Sequence, residues 1–297
     1  MTKIFTALLL ADMTERGEVR LSDPAARYLP GARDAAGAVT LADLATHTSG
    51  LPRLPGGLFW SARLSPRDPY ARYPASWLRR SARRALRAGS GGSPYAYSNF
   101  GYGLLGYLLG QAAGSDYETL VATRICGPLG LADTAFLVPG PSRDRKAQGH
   151  QGGRPVPDWR MGALAGAGAL YSTAADLARF LHACLAASAS SVPASTPSAG
   201  TVPAGTVPAG TAAGGPLAAA IRAALAPRQP IPGGDIGLAW HHTRRDGHRI
   251  IWHNGMTGGF SAMIAFDPDR GLGVAALANS ACRPPSPLDA AVMAALG

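Results

Sequence analysis

The chain has 297 residues, enough for one large domain or two closely packed ones with a sizeable core. Hydrophobic residues make up 46%, and no apolar run reaches the roughly 18–20 residues of a membrane span. The net charge of +10 would suit a nucleic-acid partner, but all except Lys3 and Lys146 of the 28 basic residues are arginine, a pattern of GC-rich coding bias rather than of a binding patch.

Lys3 followed by Ile4 to Ala11 has the basic and apolar parts of a signal peptide. The run is short, however, and passes into Asp12, Thr14, Glu15 and Arg16 without a small-residue cleavage site. A helix ended by Gly17 accounts for it better. Thr40 with Asp43, Ser115 with Glu118, and Thr173 with Asp176 mark helix starts before apolar runs. Arg79, Arg80, Arg83, Arg84 and Arg87 fall on one side of a predicted helix, with Leu78, Ala82, Ala85 and Leu86 on the other. That arrangement reads as a solvated face. Asn99 to Ala113 is apolar and glycine-containing and suits a buried helix.

Ala186 to Gly215 is of low complexity, repeating Thr-Val-Pro-Ala-Gly from Thr201 and Thr206. Without bulky apolar residues it cannot offset its ordering entropy, and a disordered surface insert is expected. Beyond it, Ile236 to His242, Arg249 to His253, Phe260 to Phe266 and Leu272 to Ala278 read as strands. Turn signals lie at Asp246-Gly247, Asn254-Gly255 and Asp267 to Gly271, and such short connections imply an antiparallel sheet. Helices first and strands last suggest a helical region beside an α/β region. Cys126, Cys184 and Cys282 are odd in number and lack metal-ligand spacing, so buried free thiols are expected rather than a disulfide framework or zinc site.

The chain has no Gly-x-Ser-x-Gly elbow, no His-Glu-x-x-His and no Walker A loop. It has Met1-Thr2-Lys3 at the start of an apolar helix, His47-Thr48-Ser49-Gly50-Leu51 at the end of an early helix, Tyr97-Ser98-Asn99 opening another, and His253-Asn254-Gly255 among the strands. In this order the motifs resemble those of class C β-lactamases, penicillin-binding DD-peptidases and β-lactamase-like esterases. That family carries Ser-x-x-Lys, Tyr-x-Asn, and Lys-Thr-Gly or a His-x-Gly variant. The resemblance extends to Leu21-Ser22-Asp23-Pro24, Tyr28-Leu29-Pro30, Pro128-Leu129-Gly130-Leu131 and Ser172 to Asp176, and runs from Met1 to about Ser280, broken by the low-complexity stretch. It implies an α/β plus all-α fold of β-lactamase/transpeptidase type, an antiparallel sheet flanked by helices with a helical subdomain. The whole of 1–297 then forms one domain: a catalytic-helix segment (1–20), a mainly helical region (21–185), the insert (186–215), and a C-terminal helix with strands (216–297).

The departure is at the first motif. Met1-Thr2-Lys3 matches the last three positions of Ser-x-x-Lys, so the serine would stand immediately before Met1, and no other Ser-x-x-Lys exists. We expect a start placed at an internal methionine, with two early strands of the family's sheet also upstream. The alternative is a genuine truncated relative that cannot acylate. A hydroxyl needs a neighbouring base, and positions three apart on a helix share a face, which puts Lys3 beside that serine. The resemblance assigns Tyr97 as the partner base that moves a proton to the leaving group. It assigns Asn99 to hold Lys3 or the substrate amide, unless Asn99 is a plain N-cap.

His253 stands where many relatives have lysine, and is expected to donate a hydrogen bond to a substrate carboxylate while supplying less fixed charge. The backbone N–H of Met256, with Gly255 permitting close approach, is expected to complete an oxyanion hole with the N–H of the serine. His47 and Ser49 read as a helix end stopped by Gly50, not as a second catalytic pair. The implied reaction is hydrolysis of an ester or amide (a β-lactam, a D-amino-acid peptide or a small ester) through an acyl-serine, without metal or cofactor. The implied partner is a small-molecule or peptide substrate and not a nucleic acid. A penicillin-fold protein that binds such ligands without turnover is the reading from another class. Relatives are often exported, but no signal peptide is credible within these residues.

Overall fold

Helix α1 (Thr2–Glu15) buries all but two of its residues and is covered around its whole circumference, the mark of a helix at the centre of a core. Arg16 and Gly17 end it, the latter at φ 72°. The structure, a computed structural model, describes residues 1–32, 38–88, 91–138, 144–189, 215–283 and 285–297. Around α1 lie α5 (Asn99–Ala113), α7 (Ala165–Gly168) and α9 (Pro216–Leu225). The helical region also holds α2 (Leu41–Thr46), α3 (Leu58–Leu64), α4 (Ala75–Ala88) and α6 (Tyr117–Val121), with a small hairpin of β1 (His150–Gln151) and β2 (Arg154–Pro155).

Six strands form the main sheet in sequential antiparallel order: β3 (Gln229–Ile231), β4 (Gly234–Ile236), β5 (His241–Arg245), β6 (His248–Thr257), β7 (Phe260–Asp267) and β8 (Leu272–Ala278). Successive side chains alternate between its faces. Ile251, Ile264 and Phe266 join the core built on α1, together with α8 (Ala174–Ala189). Ile250, Met263 and Ala265 face the other way and pack on Val292 of α10 (Pro287–Ala294) and on Leu296. Helices thus cover both faces, and the fold matches the antiparallel sheet flanked by helices that the sequence implies.

Several boundaries differ from the sequence reading. The segment Ile236 to His242 is not one strand. It is the end of β4, a turn over Gly237–Trp240 with Ala239 at φ 68°, and the start of β5. Asn254-Gly255 is not a turn but lies inside β6, and the chain reverses at Gly258-Gly259 instead. Asp116, not Ser115, caps α6, its carboxylate accepting the Thr119 N–H. Ser98, not Asn99, is the N-cap of α5 and accepts the Gly101 N–H at 2.8 Å. The left-handed residue that ends α2 is His47 itself, at φ 60°. Ala186 to Ala189 continue α8, since alanine favours helix, and Gly215 caps α9. The rest of the expected insert lies outside the described residues. Cys126 and Cys184 are buried, but Cys282, following the sheet's last strand, is exposed. Burial pushes the Cys126 thiol up to about 12.

Candidate active site

The first turn of α1 is stitched to α7 by polar groups on one side. Lys3 Nζ donates to Ala167 O at 2.7 Å, Thr6 Oγ1 to Gly166 O at 2.8 Å, and Leu170 N–H to Thr2 Oγ1 at 3.0 Å. Lys3 is only 5% exposed, so its ammonium needs such a partner. It lies 5.1 Å from the centroid of the Tyr97 ring.

Tyr97 is held from the segment after α2. The His47 carbonyl accepts the Ala96 N–H at 2.8 Å, and His47 Nδ1 accepts the Ser98 N–H at 3.0 Å. The Arg53 carbonyl accepts from Asn99 and Phe100, and Pro52 O accepts from Ser98 Oγ. The His47 ring packs 4.7 Å from Tyr97 and 4.9 Å from Tyr102, centroid to centroid. Burial, with Lys3 and His241 nearby, holds His47 well below its ordinary value. The ring is neutral, and because Nδ1 accepts an N–H, its proton is on Nε2. The guanidinium of Arg53 lies 5.2 Å from the Tyr97 centroid and forms no ion pair among the described residues.

The third wall is β6. Its pairing with β5 ends at Trp252 opposite His241, whereas its pairing with β7 continues to Thr257 opposite Phe260. Residues 253–257 therefore overhang β5. A side chain added at Gly255 would come within 3.1 Å of the Met1 nitrogen, so the start of α1 lies against this overhang.

His253 Nδ1 is 2.9 Å from Ala239 O, the carbonyl that the left-handed turn before β5 presents to it. Burial above all, then the Met1 amine, His241 and Lys3, keep this ring well below its ordinary value. A neutral ring against a carbonyl must turn Nδ1–H toward it, which leaves Nε2 without a proton. In this arrangement the N–H of His253 points to Ala239, and the ring presents Nε2 as an acceptor.

Lys3, Tyr97, Asn99, His253, Gly255 and Met256 all line one cleft of about 1450 Å³, with Tyr70, Trp159 and Trp252 among its aromatic walls. Three further contributors escaped the sequence reading. Ala167 offers only a carbonyl and has no sequence signal. His47 was read as a helix end, and its tie to Ser98 spans 51 positions. Arg53 had a usable signal, being the one charge between Gly50 and Gly57. Among the described residues no three potential metal ligands cluster, and no helix is long and apolar enough to cross a membrane.

The Beta-lactamase family model matches residues 1–297. The chain belongs to the β-lactamase family. This family member is 35% identical over 186 residues to the D-alanyl-D-alanine-carboxypeptidase/endopeptidase AmpH of Escherichia coli K12, an alignment covering 61% of the chain and 46% of AmpH. It is 29% identical to a beta-lactamase of the same organism, with 98% of the chain and 77% of that protein covered. The chain thus spans about half the length of AmpH. Among solved structures it superposes on a class C beta-lactamase mutant with a TM-score of 0.79 at 20% identity, covering 99% of this chain and 81% of that one. On the class C enzyme of Rhodobacter sphaeroides the score is 0.74 at 25% identity, with 95% and 79% covered. At family level this places the chain among β-lactamases and penicillin-binding peptidases.

Proposed function

We propose that this cleft hydrolyses an ester or amide through an acyl-serine, with the serine at the position directly before Met1. The observation that carries this reading is the meeting of Lys3, Tyr97 and the β6 overhang around the first turn of α1. A serine there stands three residues from Lys3, on the same helix face. Its Oγ attacks the acyl carbon and its proton passes to the Lys3–Tyr97 pair, while the carbonyl π electrons move onto oxygen. The collapsing tetrahedral intermediate expels the leaving group, which takes a proton from Tyr97. Water then repeats the sequence on the acyl-serine and frees the acid. Asn99 orients the substrate amide from the same side.

The register supports Met256 as an oxyanion donor. A two-residue connection at Gly258-Gly259 closes on the Thr257–Phe260 pair as the hydrogen-bonded one, so the alternation of an antiparallel ladder turns the Met256 N–H away from β7. That edge is the one β5 leaves open. Such a donor contributes about 3–4 kcal/mol to the transition state. His253 supplies no cation, and Arg145, Lys146 and Arg245, which also line the cleft, are each paired with an aspartate, so recognition of an acidic substrate falls to Arg53. The reading therefore favours esters and neutral amides over substrates that require a fixed cation on the strand.

The sequence as it stands contains no Ser-x-x-Lys. Without that serine the same cleft acts as a binding site with no turnover. The test compares the chain with a form carrying a serine immediately before Met1, each incubated with a fluorophosphonate and a fluorescent penicillin. Labelling of the added serine, lost in Lys3→Met and lowered about 10²–10⁴-fold in Tyr97→Phe, is expected. Absence of labelling in the folded, ligand-binding serine form leaves only the binding protein.

A further inference from the structure

Residues 51–90 contain nine arginines and a single acid, Asp68, so most of the net charge of +10 comes from this one segment. Asp68 does not offset it at the surface: the carboxylate is buried and paired with Arg160 Nε at 3.1 Å. The same segment holds four of the protein's exposed large hydrophobic side chains. Leu54 is 42% exposed, Phe59 72%, Trp60 60% and Leu64 62%. Phe59 and Trp60 touch edge to face, 5.7 Å between centroids. Their helix, α3, buries Leu58 and Ser61 and is anchored to α4, whose Ser81 hydroxyl donates to Gly56 O at 2.9 Å and whose Trp77 packs on Gly57. α4 in turn buries Leu78, Ala82 and Leu86 and turns its arginines outward. The apolar residues are therefore presented on a fixed platform.

We propose that α3 and the arginines around it form a peripheral contact for an anionic lipid bilayer. Two features select this occupant over others. Exposed Trp, Phe and Leu side by side insert at the boundary of headgroup and acyl chain, which no hydrated polymer offers. Arginines without surface carboxylates among them complement a negative leaflet. A nucleic acid uses the charge and the aromatic faces but gains nothing from Leu54 and Leu64. The contact sits beside the cleft mouth, because Arg53 and Tyr70 of the same segment line the cleft. Bound in this way, the protein presents its cleft next to the lipid surface.

The full chain is sedimented with vesicles of phosphatidylcholine alone and of phosphatidylcholine mixed equally with phosphatidylglycerol, and binding to single-stranded DNA is measured in parallel. Cosedimentation only with the anionic vesicles is expected, falling at least about tenfold in the Phe59→Ser/Trp60→Ser double variant and in high salt. Both positions are exposed, so the variant should melt as the parent does, and the melting curve verifies that it is folded. The proposal is overturned by failure to bind anionic vesicles, by vesicle binding that the folded double variant retains in full, or by binding to DNA that is tighter than to vesicles.

Discussion

His47 Nδ1 accepts the backbone N–H of Ser98 at 3.0 Å, so a neutral buried imidazole fixes the loop that carries Tyr97. His47→Ala leaves that N–H unsatisfied and opens a gap between tyrosine rings. A loss of about 2–4 kcal/mol in urea unfolding is expected. Asparagine tolerates the left-handed backbone and offers an acceptor, so His47→Asn should recover about 1 kcal/mol of it. Equal stability of the alanine variant and the parent would show that the bond does not hold the loop.

Lys3 depends on a backbone carbonyl of α7, and α7 sits where it does because glycines let it approach α5. A methyl at Gly166 would come 2.6 Å from Tyr102 O and 3.0 Å from the Gly106 Cα, both backbone atoms that cannot swing away. Gly166→Ala is expected to destabilise by about 2–3 kcal/mol, exceeding the helix-propensity gain of up to about 1 kcal/mol. Chemical denaturation measures it, and a stabilised variant would mean that the helices move apart freely.

The three histidines around the site bear on acid stability. Burial depresses His47 and His253, and His241 is lowered to about 4, mainly by burial and then by His242. All three are neutral in the fold but take up a proton near pH 6.5 once unfolded. Their contribution is complete above that pH and is lost as the pH falls toward the folded values. Each group titrating only in the unfolded chain adds a slope of about 1.4 kcal/mol per pH unit. Unfolding free energies between pH 7 and pH 5 should therefore fall, and His47→Asn should flatten the slope by one proton's worth. A slope unchanged by that substitution would mean that His47 protonates equally in both states.

Arg53 is read as the cation that meets an acidic substrate. In the serine-bearing form, Arg53→Ala should lower kcat/KM for a carboxylate-bearing ester by about 10–100-fold, the worth of one charge-assisted hydrogen bond. The matched neutral ester should change less than about twofold. Equal loss on both substrates would instead mark Arg53 as a support for Tyr97.

Where composition, helical spacing and turn chemistry decided the structure, the sequence was legible. The helix over Asn99–Ala113 follows from its apolar composition, the arginine face of α4 from spacing, and the antiparallel order of the later strands from their short connections. The cleft was legible through motif order, since Lys3, Tyr97 and His253 are far apart in the chain but share one cavity. Tertiary contacts decided what the sequence left hidden. Asn254-Gly255 has strong turn chemistry, yet the Asn254 amide bonds Asp289 of α10 and the pair stays in the strand. Ala239 adopts a left-handed backbone where no glycine announces a turn, and its carbonyl then settles the tautomer of His253. That bond joins residues 14 apart, a contact that the motif alone does not announce.

In the proposed reaction the Met256 N–H acts as main chain, and an amide is the same whatever side chain it carries. The spelling of positions such as 256 is therefore open to drift, because methionine itself does nothing there that another residue could not. The counting is not open. One residue inserted or deleted between Trp252 and Gly258 would shift the alternation by one position, turning the N–H at that point toward β7 and removing a donor from the place where a nascent anion forms.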